Sequence, residues 1–167
     1  MAPMITLHPV LPGDWPDLWP LLEPVFRAGE TYALPRDISE EEARRLWVEI
    51  PEATFVARNE AGSAVGTYFL KPNQLGPGSH VANAGYVVDE KARGRGIASR
   101  LCEHSLEEAR RRGYRAMQFN LVVATNTVAV HLWQKHGFRI VGTLPGAFRH
   151  ATLGFVDAFV MYRSLTP

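Results

Sequence analysis

The residues of this chain best suited to do chemistry are Arg93-Gly94-Arg95-Gly96-Ile97-Ala98. They stand between a stretch that reads as a strand, His80 to Val88, and one that reads as a helix, Ile97 to about Arg112. A strand, a glycine-rich turn and a helix start together make an anion site. The first N–H groups of a helix have no partner within it, and the helix dipole places positive partial charge there. Glycines remove the side chains that would keep a diphosphate off those N–H groups, and Arg93 and Arg95 bring charge to the same place. The spacing is neither a Walker loop nor a dinucleotide fingerprint. The plainer alternative is an exposed glycine turn with two solvated arginines.

The downstream residues weigh against that alternative. Arg93-x-x-Gly96-x-Ala98 resembles the Q/R-x-x-G-x-G/A signature of the GCN5-related N-acetyltransferases (GNAT). The likeness continues through a strand at Met117 to Val123. It then takes in Asn126-Thr127-Val128-Ala129-Val130-His131-Leu132-Trp133-Gln134-Lys135-His136-Gly137-Phe138, similar to the family's Asn-x-x-Ala-x-x-Leu-Tyr-x-x-x-Gly-Phe. It is specific from about Val81 to Val141 and loose before it.

The resemblance implies acetyl-CoA as co-substrate and a small amine as acceptor. It implies diphosphate contacts from Arg93, Gly94, Arg95, Gly96, Ile97, Ala98 and Ser99. Tyr86, Val87 and Val88 would present backbone groups to the pantetheine arm, one N–H facing the thioester oxygen. Glu90 stands where the family has Pro, a harmless change if those contacts are backbone ones. Asn126 matches an Asn that bonds the cofactor arm and also reads as a plain helix N-cap. Trp133 replaces a Tyr often assigned as general acid. An indole N–H donates a hydrogen bond but is no acid at a useful pKa, so Trp133 is either a cofactor contact or packing.

Asn83 and Asn120 each interrupt an otherwise apolar strand, where Asn is depleted and a buried amide needs a partner. With Asn126 they place three amides near the gap that the family's sheet opens. This resembles a branch acting on amino acids and toxic analogues, including azetidine-2-carboxylate and, further off, phosphinothricin. On that reading Asn120 and Asn126 are catalytic, and Asn83, Asn120 and Tyr32 face the substrate. The alternative is paired amides that tie strands together. No base stands out: His80, Glu30, Tyr32, Tyr86 and Asp157 are each candidates to line the gap, and a water path serves equally. Arg149 and His150, read as loop residues, are placed to meet a substrate carboxylate.

The chain has 167 residues, 46% hydrophobic and 21% charged, as expected for one globular domain spanning 1–167. A formal charge of +1 gives no mandate for nucleic acid or membrane. Eight of the 18 Lys and Arg fall between Lys91 and Arg115, which fits a local polyanion site. Aromatics are not interleaved with these arginines, against nucleic acid. Met1-Ala2-Pro3-Met4 shows no leader pattern, no apolar run approaches a membrane span, and the single Cys102 reads as buried filler. A cytoplasmic protein is the expectation, with a homodimer left open.

The elements that must position these residues follow from periodicity. Ile5 to His8 alternates as a strand. Asp14 reads as the N-cap of a helix toward Arg27, kinked or split by Pro20 and Pro24. Ser39-x-x-Glu42 opens a second helix. Thr54 to Arg58 and Ala64 to Leu70 read as a hairpin, Lys71 to Ser79 as a loop. A strand from Ala116 to Val123 and a helix from about Thr127 to His136 follow the third helix. Phe138 to Leu144 and Phe155 to Arg163 read as the last strands, joined by a loop at Pro145 to Gly154. The order β-α-α-β-β-β-α-β-α-β-β predicts an α/β protein. By resemblance this is the GNAT fold, a mixed, mostly antiparallel sheet of about seven strands. It would be splayed between strands 4 and 5 and flanked by about four helices. Two other functions fit the same residues: N-terminal acetylation of proteins, and a non-catalytic acyl-CoA-binding module.

Overall fold

A computed structural model describes residues 4–167; Met1–Pro3, on which the leader reading partly rests, lie outside the described residues. Seven strands form one sheet in the order β1-β2-β3-β4-β5-β7-β6. These are β1 (Ile5–Pro9), β2 (Ala53–Asn59), β3 (Ala64–Pro72), β4 (Val81–Val88), β5 (Ala116–Val123), β6 (Arg139–His150) and β7 (Gly154–Ser164). Four helices flank it: α1 (Trp15–Ala28), α2 (Glu40–Arg44), α3 (Ile97–Arg111) and α4 (Thr127–Lys135). α2 runs on into a π-helical turn at Arg45–Glu49.

The parallel pair is β4 with β5, and it is short. The strands pair at Val81–Ala116 and Ala82–Met117 and part beyond, one running to Val88 and the other to Val123. This is the splay that the resemblance implied. Which β4 groups face it follows from alternation along the strand. Asp89 N–H bonds Val65 C=O and Asn73 N–H bonds Val81 C=O, so odd positions face β3. The backbone N–H and C=O of Ala84, Tyr86 and Val88 therefore face the gap.

Apolar side chains cover both sheet faces. On one, α3 buries Ile97, Leu101, Cys102, Leu106 and Ala109 at a helical period. On the other, α1 buries Trp15, Leu18, Leu22 and Phe26, joined by Trp47 from the π turn. Each buried Leu, Ile or Phe among them contributes roughly 1.5–3 kcal/mol relative to exposure. No described helix is long and apolar enough to cross a membrane.

Four expectations need correction. α1 is one continuous helix, not two. Pro16, Pro20 and Pro24 recur every four residues on its exposed side, so the carbonyls that lose an N–H partner face water. Asp14 precedes α1 but its carboxylate does not cap it; the carboxylate accepts from Leu11 N–H and from Arg58, both at 2.7 Å. β3 extends through Lys71 and Pro72, which were read as loop. Pro145 to His150 are strand as well. β6 absorbs Pro145 in a register shift between Leu144 and Phe148, where Pro is tolerated because β6 is the sheet's edge.

Candidate active site

β4 ends at Val88 and delivers the chain to a 3-10 turn at Glu90–Ala92, then to Arg93, Gly94, Arg95 and Gly96. Gly94 and Gly96 have φ of 76° and 80°, which L side chains rarely adopt. A Cβ at either would meet no heavy atom within 4 Å, so the turn opens to solvent. Gly96 is the N-cap of α3 and supplies no side-chain bond. The N–H groups of Ile97, Ala98 and Ser99 lack partners among the described residues; the ladder begins with Arg100 N–H to Gly96 C=O at 3.1 Å. Arg93 and Arg95 are exposed and form no ion pair among the described residues. The result is a row of unpartnered N–H groups beside two exposed guanidinium groups where β4 ends, an arrangement suited to an anion. Beside it, Ser99 Oγ and His136 Nε2 share a 2.6 Å hydrogen bond; burial lowers the pKa of this imidazole.

Along the gap the expected residues take different places. Asn126 caps α4, its side-chain oxygen accepting from Ala129 N–H at 3.4 Å. Its NH2 donates to nothing among the described residues. Asn83 donates to Gln118 C=O at 3.0 Å, holding β4 to β5 just past their last ladder pair. Asn120 was expected to be a buried amide and is exposed, at a register shift in β5. It links Gln118 and Asn73, accepting from the former at 3.0 Å and donating to the latter at 2.7 Å. Trp133 is buried among Tyr86, Phe119 and Phe138, with ring centroids 4.9 Å from the first two. Packing is thus its evident role.

Tyr32 reaches the gap. Its ring meets Phe26 and Trp47 edge-on, and its hydroxyl bonds both Tyr86 N–H, at 2.8 Å, and Tyr86 C=O, at 2.9 Å. Gly85 makes this approach possible: a Cβ there would stand 2.5 Å from Phe69 and 3.1 Å from the Tyr32 hydroxyl. Burial pushes the Tyr32 phenol well above its ordinary range, so it stays neutral and is no base near neutral pH. The Tyr86 phenol points to the opposite face, bonded to Ser105 at 2.6 Å, and burial raises it too.

None of the remaining base candidates forms a side-chain hydrogen bond to the β4 edge among the described residues. His80 precedes the paired end of β4 and is exposed; its C=O accepts from Arg115. At about 3.3 Å per residue it lies some 20 Å along the strand from Tyr86. Asp157 accepts from Gly146 N–H, and Glu30 is exposed. Arg149 and His150 lie in β6, not in a loop. His150 Nδ1 accepts from Thr152 and Leu153 N–H and so builds the hairpin turn, while Arg149 lies over the Phe155 ring. That turn bonds back to the end of α1, Ala151 N–H to Gly29 C=O at 3.0 Å. The β6–β7 turn and the end of α1 are thereby joined.

Two residues on this face were not singled out in the sequence. Gly85 is one. Lys71 is the other, set directly across from Asn83 in the β3–β4 register. The alternation Thr67, Phe69, Lys71 carried the signal, but Pro72 and the glycines after it read as the start of a loop.

The model of the GNAT acetyltransferase family matches residues 15–138, and the chain belongs to that family, whose co-substrate is acetyl-CoA. The structure is similar to that of a GCN5-related N-acetyltransferase from Kribbella flavida. The two are 44% identical with a TM-score of 0.91, over 96% of this chain and 97% of that one. The sequence is similar to N-acetyltransferase aca1 of Schizosaccharomyces pombe, 36% identical over 59% of this chain and 47% of that protein. It is also similar to the L-amino acid N-acetyltransferase AaaT of Escherichia coli, 34% identical over 61% of this chain and 62% of that protein. The chain therefore spans less than two-thirds of each of these curated relatives' length.

Proposed function

We propose that this chain, read as one transferase domain over residues 1–167, moves acetyl from acetyl-CoA to the amine of an amino acid or amino-acid analogue. One observation carries the reading: the uncapped N-terminus of α3, behind Gly94 and Gly96, opens onto the unpaired β4 edge. That supports a diphosphate site and a row of backbone donors along one track.

Roles follow for the residues present. The Ile97, Ala98 and Ser99 N–H groups, with Arg93 and Arg95, hold the diphosphate. Val88 backbone groups bond the pantetheine arm. Tyr86 N–H, released by Tyr32, donates to the thioester oxygen as charge develops on it. Asn126, through its unpaired NH2, fixes the arm at the head of α4. The amine attacks neutral, and its proton leaves through water, since none of the base candidates bonds the β4 edge among the described residues. The departing thiolate needs no acid, since a thiol pKa near 8.5 makes it a tolerable leaving group. That is consistent with Trp133 in place of a phenol. The bridge from Ala151 to Gly29 favours a small amine over a peptide, and the likeness to the AaaT protein favours an amino acid. A cytoplasmic setting belongs to the same proposal.

The test is incubation with acetyl-CoA and a panel of amino acids, analogues, polyamines and peptides, following free thiol. Amino-acid-dependent thiol release is expected. Tight acetyl-CoA binding with no release from any amine would replace the enzyme with a binding module.

A further inference from the structure

We propose that the Lys71 ammonium is the carboxylate anchor of the acceptor, restricting this site to amines that carry a carboxylate. The inference rests on the reading of the site as an acetyltransferase and adds the group that selects its acceptor.

The placement is set by register. On β3, Phe69 lies opposite Gly85 and Lys71 opposite Asn83. Phe69 and Lys71 are two apart and share a face. That face is the acceptor side, because the Phe69 ring and the Tyr32 hydroxyl are the atoms a Cβ on Gly85 would strike. The Lys71 ammonium does not extend away into solvent. It folds back over the Phe69 ring, 5.5 Å from the centroid. The same ring touches Gly85, the residue before Tyr86. The ammonium and Gly85 thus lie beside the same phenyl ring, which puts the cation on the acceptor face of the strand whose N–H is assigned to the thioester oxygen.

The surroundings favour an outside anion over an internal one. Lys71 forms no ion pair among the described residues, and the residues beside it in the β3–β4 register, Phe69, Asn73 and Asn83, are not acidic. The side chain is half-buried. A half-buried ammonium held over an aromatic face keeps its attraction for a carboxylate better than a fully solvated one does. The Asn73 side-chain oxygen is engaged by Asn120, so the row of amides is ordered beside it. A cation next to the acceptor also disfavours the acceptor's own ammonium form, the form that cannot attack. Lys71 thereby supplies part of what a missing base would.

The test compares free amino acids with their primary amides, alanine with alaninamide and proline with prolinamide, in wild type and Lys71→Met. Met keeps the apolar stem and removes the charge. Wild type should favour the acids in kcat/KM by about tenfold to a hundredfold, the size expected for a charge-assisted contact. In Lys71→Met the preference should collapse to within about threefold, a range set by the neutral contacts that remain. The KM for acetyl-CoA should not move. Lys71→Arg should keep the preference. A Lys71→Met protein that still prefers acids, or a wild type indifferent between acid and amide, overturns the proposal. Calorimetry of the same ligands with the CoA-loaded protein separates this failure from failure of the reaction. Acids bound through Lys71 but never acetylated would keep the anchor and remove the transferase.

Discussion

The Tyr32 hydroxyl occupies both backbone groups of Tyr86, accepting from its N–H and donating to its C=O. Among the described residues no other β4 residue has both backbone groups engaged by a side chain in this way. If the Tyr86 N–H serves the thioester oxygen, the phenol and the co-substrate compete for it. Tyr32→Phe removes the competitor and leaves the ring contacts with Phe26 and Trp47. Acetyl-CoA affinity should rise about fivefold, matching exchange of one hydrogen bond of about 1 kcal/mol. The fold should lose about the same energy. Calorimetric titration of acetyl-CoA and urea unfolding of both proteins check the two signs; weaker binding would place Tyr32 among the groups that hold the co-substrate.

Gly96→Asp tests the proposed diphosphate site. The substitution puts a carboxylate beside the unpaired N–H groups of α3, at a φ of 80°. The backbone strain costs about 1–2 kcal/mol, which a domain of this size survives. Acetyl-CoA binding should fall more than about a hundredfold through like-charge repulsion at the diphosphate. Gly96→Asn, uncharged and better tolerated at positive φ, should fold alike and lose far less affinity. Equal losses in the two variants would trace the effect to shape and not charge.

Asn83 and Asn120 should separate on stability. The Asn83 amide ties β4 to β5 where the ladder stops, so Asn83→Ala should cost about 1 kcal/mol. Asn120 is exposed and bonded only to side chains, so Asn120→Ala should stay within about 0.5 kcal/mol of wild type. Its effect should appear in kcat and leave the KM for acetyl-CoA in place. Urea unfolding and steady-state kinetics read these out; unchanged kinetics in Asn120→Ala would make that amide a surface link.

The glycine turn and the start of α3 were legible in the sequence because the signal is local: glycines, a helix start and flanking charge all sit within six residues. The element order was legible from periodicity, and β5 matches its expected bounds. Misreadings arose where tertiary placement overrode a local signal. Pro145 reads as a loop residue but sits on an outer strand with no neighbour to bond. Pro20 and Pro24 read as helix breakers but fall on the watered side of α1. Asn120 reads as buried because its strand is apolar, and only the register shift shows it facing out. Tyr32 was named from the sequence as a gap-lining residue, but its pair of hydrogen bonds to Tyr86 was not, and Lys71 is set beside Asn83 by strand pairing that spacing does not reveal.

The Asp14–Arg58 pair makes an acid-stability prediction. Burial acts to raise the Asp14 pKa, but the Leu11 N–H and the Arg58 guanidinium outweigh it, and the carboxyl titrates below its ordinary value. A carboxyl depressed on folding stabilises the protein above its unfolded pKa of about 3.9, and that contribution is lost as pH falls through the lower folded value. Asp14→Asn should therefore be less stable at neutral pH by roughly 1.5–3 kcal/mol, the size of a hydrogen bond to a charge. Its stability should also change less than that of wild type below about pH 4. Urea midpoints between about pH 2.5 and 7 test both statements; parallel curves would remove Asp14 from acid unfolding.

Asn126 offers two groups on one side chain, and substitution can part them. The oxygen caps α4 through Ala129 N–H, while the NH2 is unpaired among the described residues. Asn126→Ala removes both, and loss of the cap should cost about 1 kcal/mol. Asn126→Asp retains a good capping oxygen and places negative charge at a helix N-terminus, so its stability should equal or exceed that of wild type. It lacks the NH2 donor. If that donor holds the cofactor arm, Asn126→Asp should raise the KM for acetyl-CoA about tenfold while folding well, and the same loss should appear in CoA binding without acceptor. Asn126→Asp with wild-type KM and Asn126→Ala merely less stable would make Asn126 a cap alone, leaving the arm to β4.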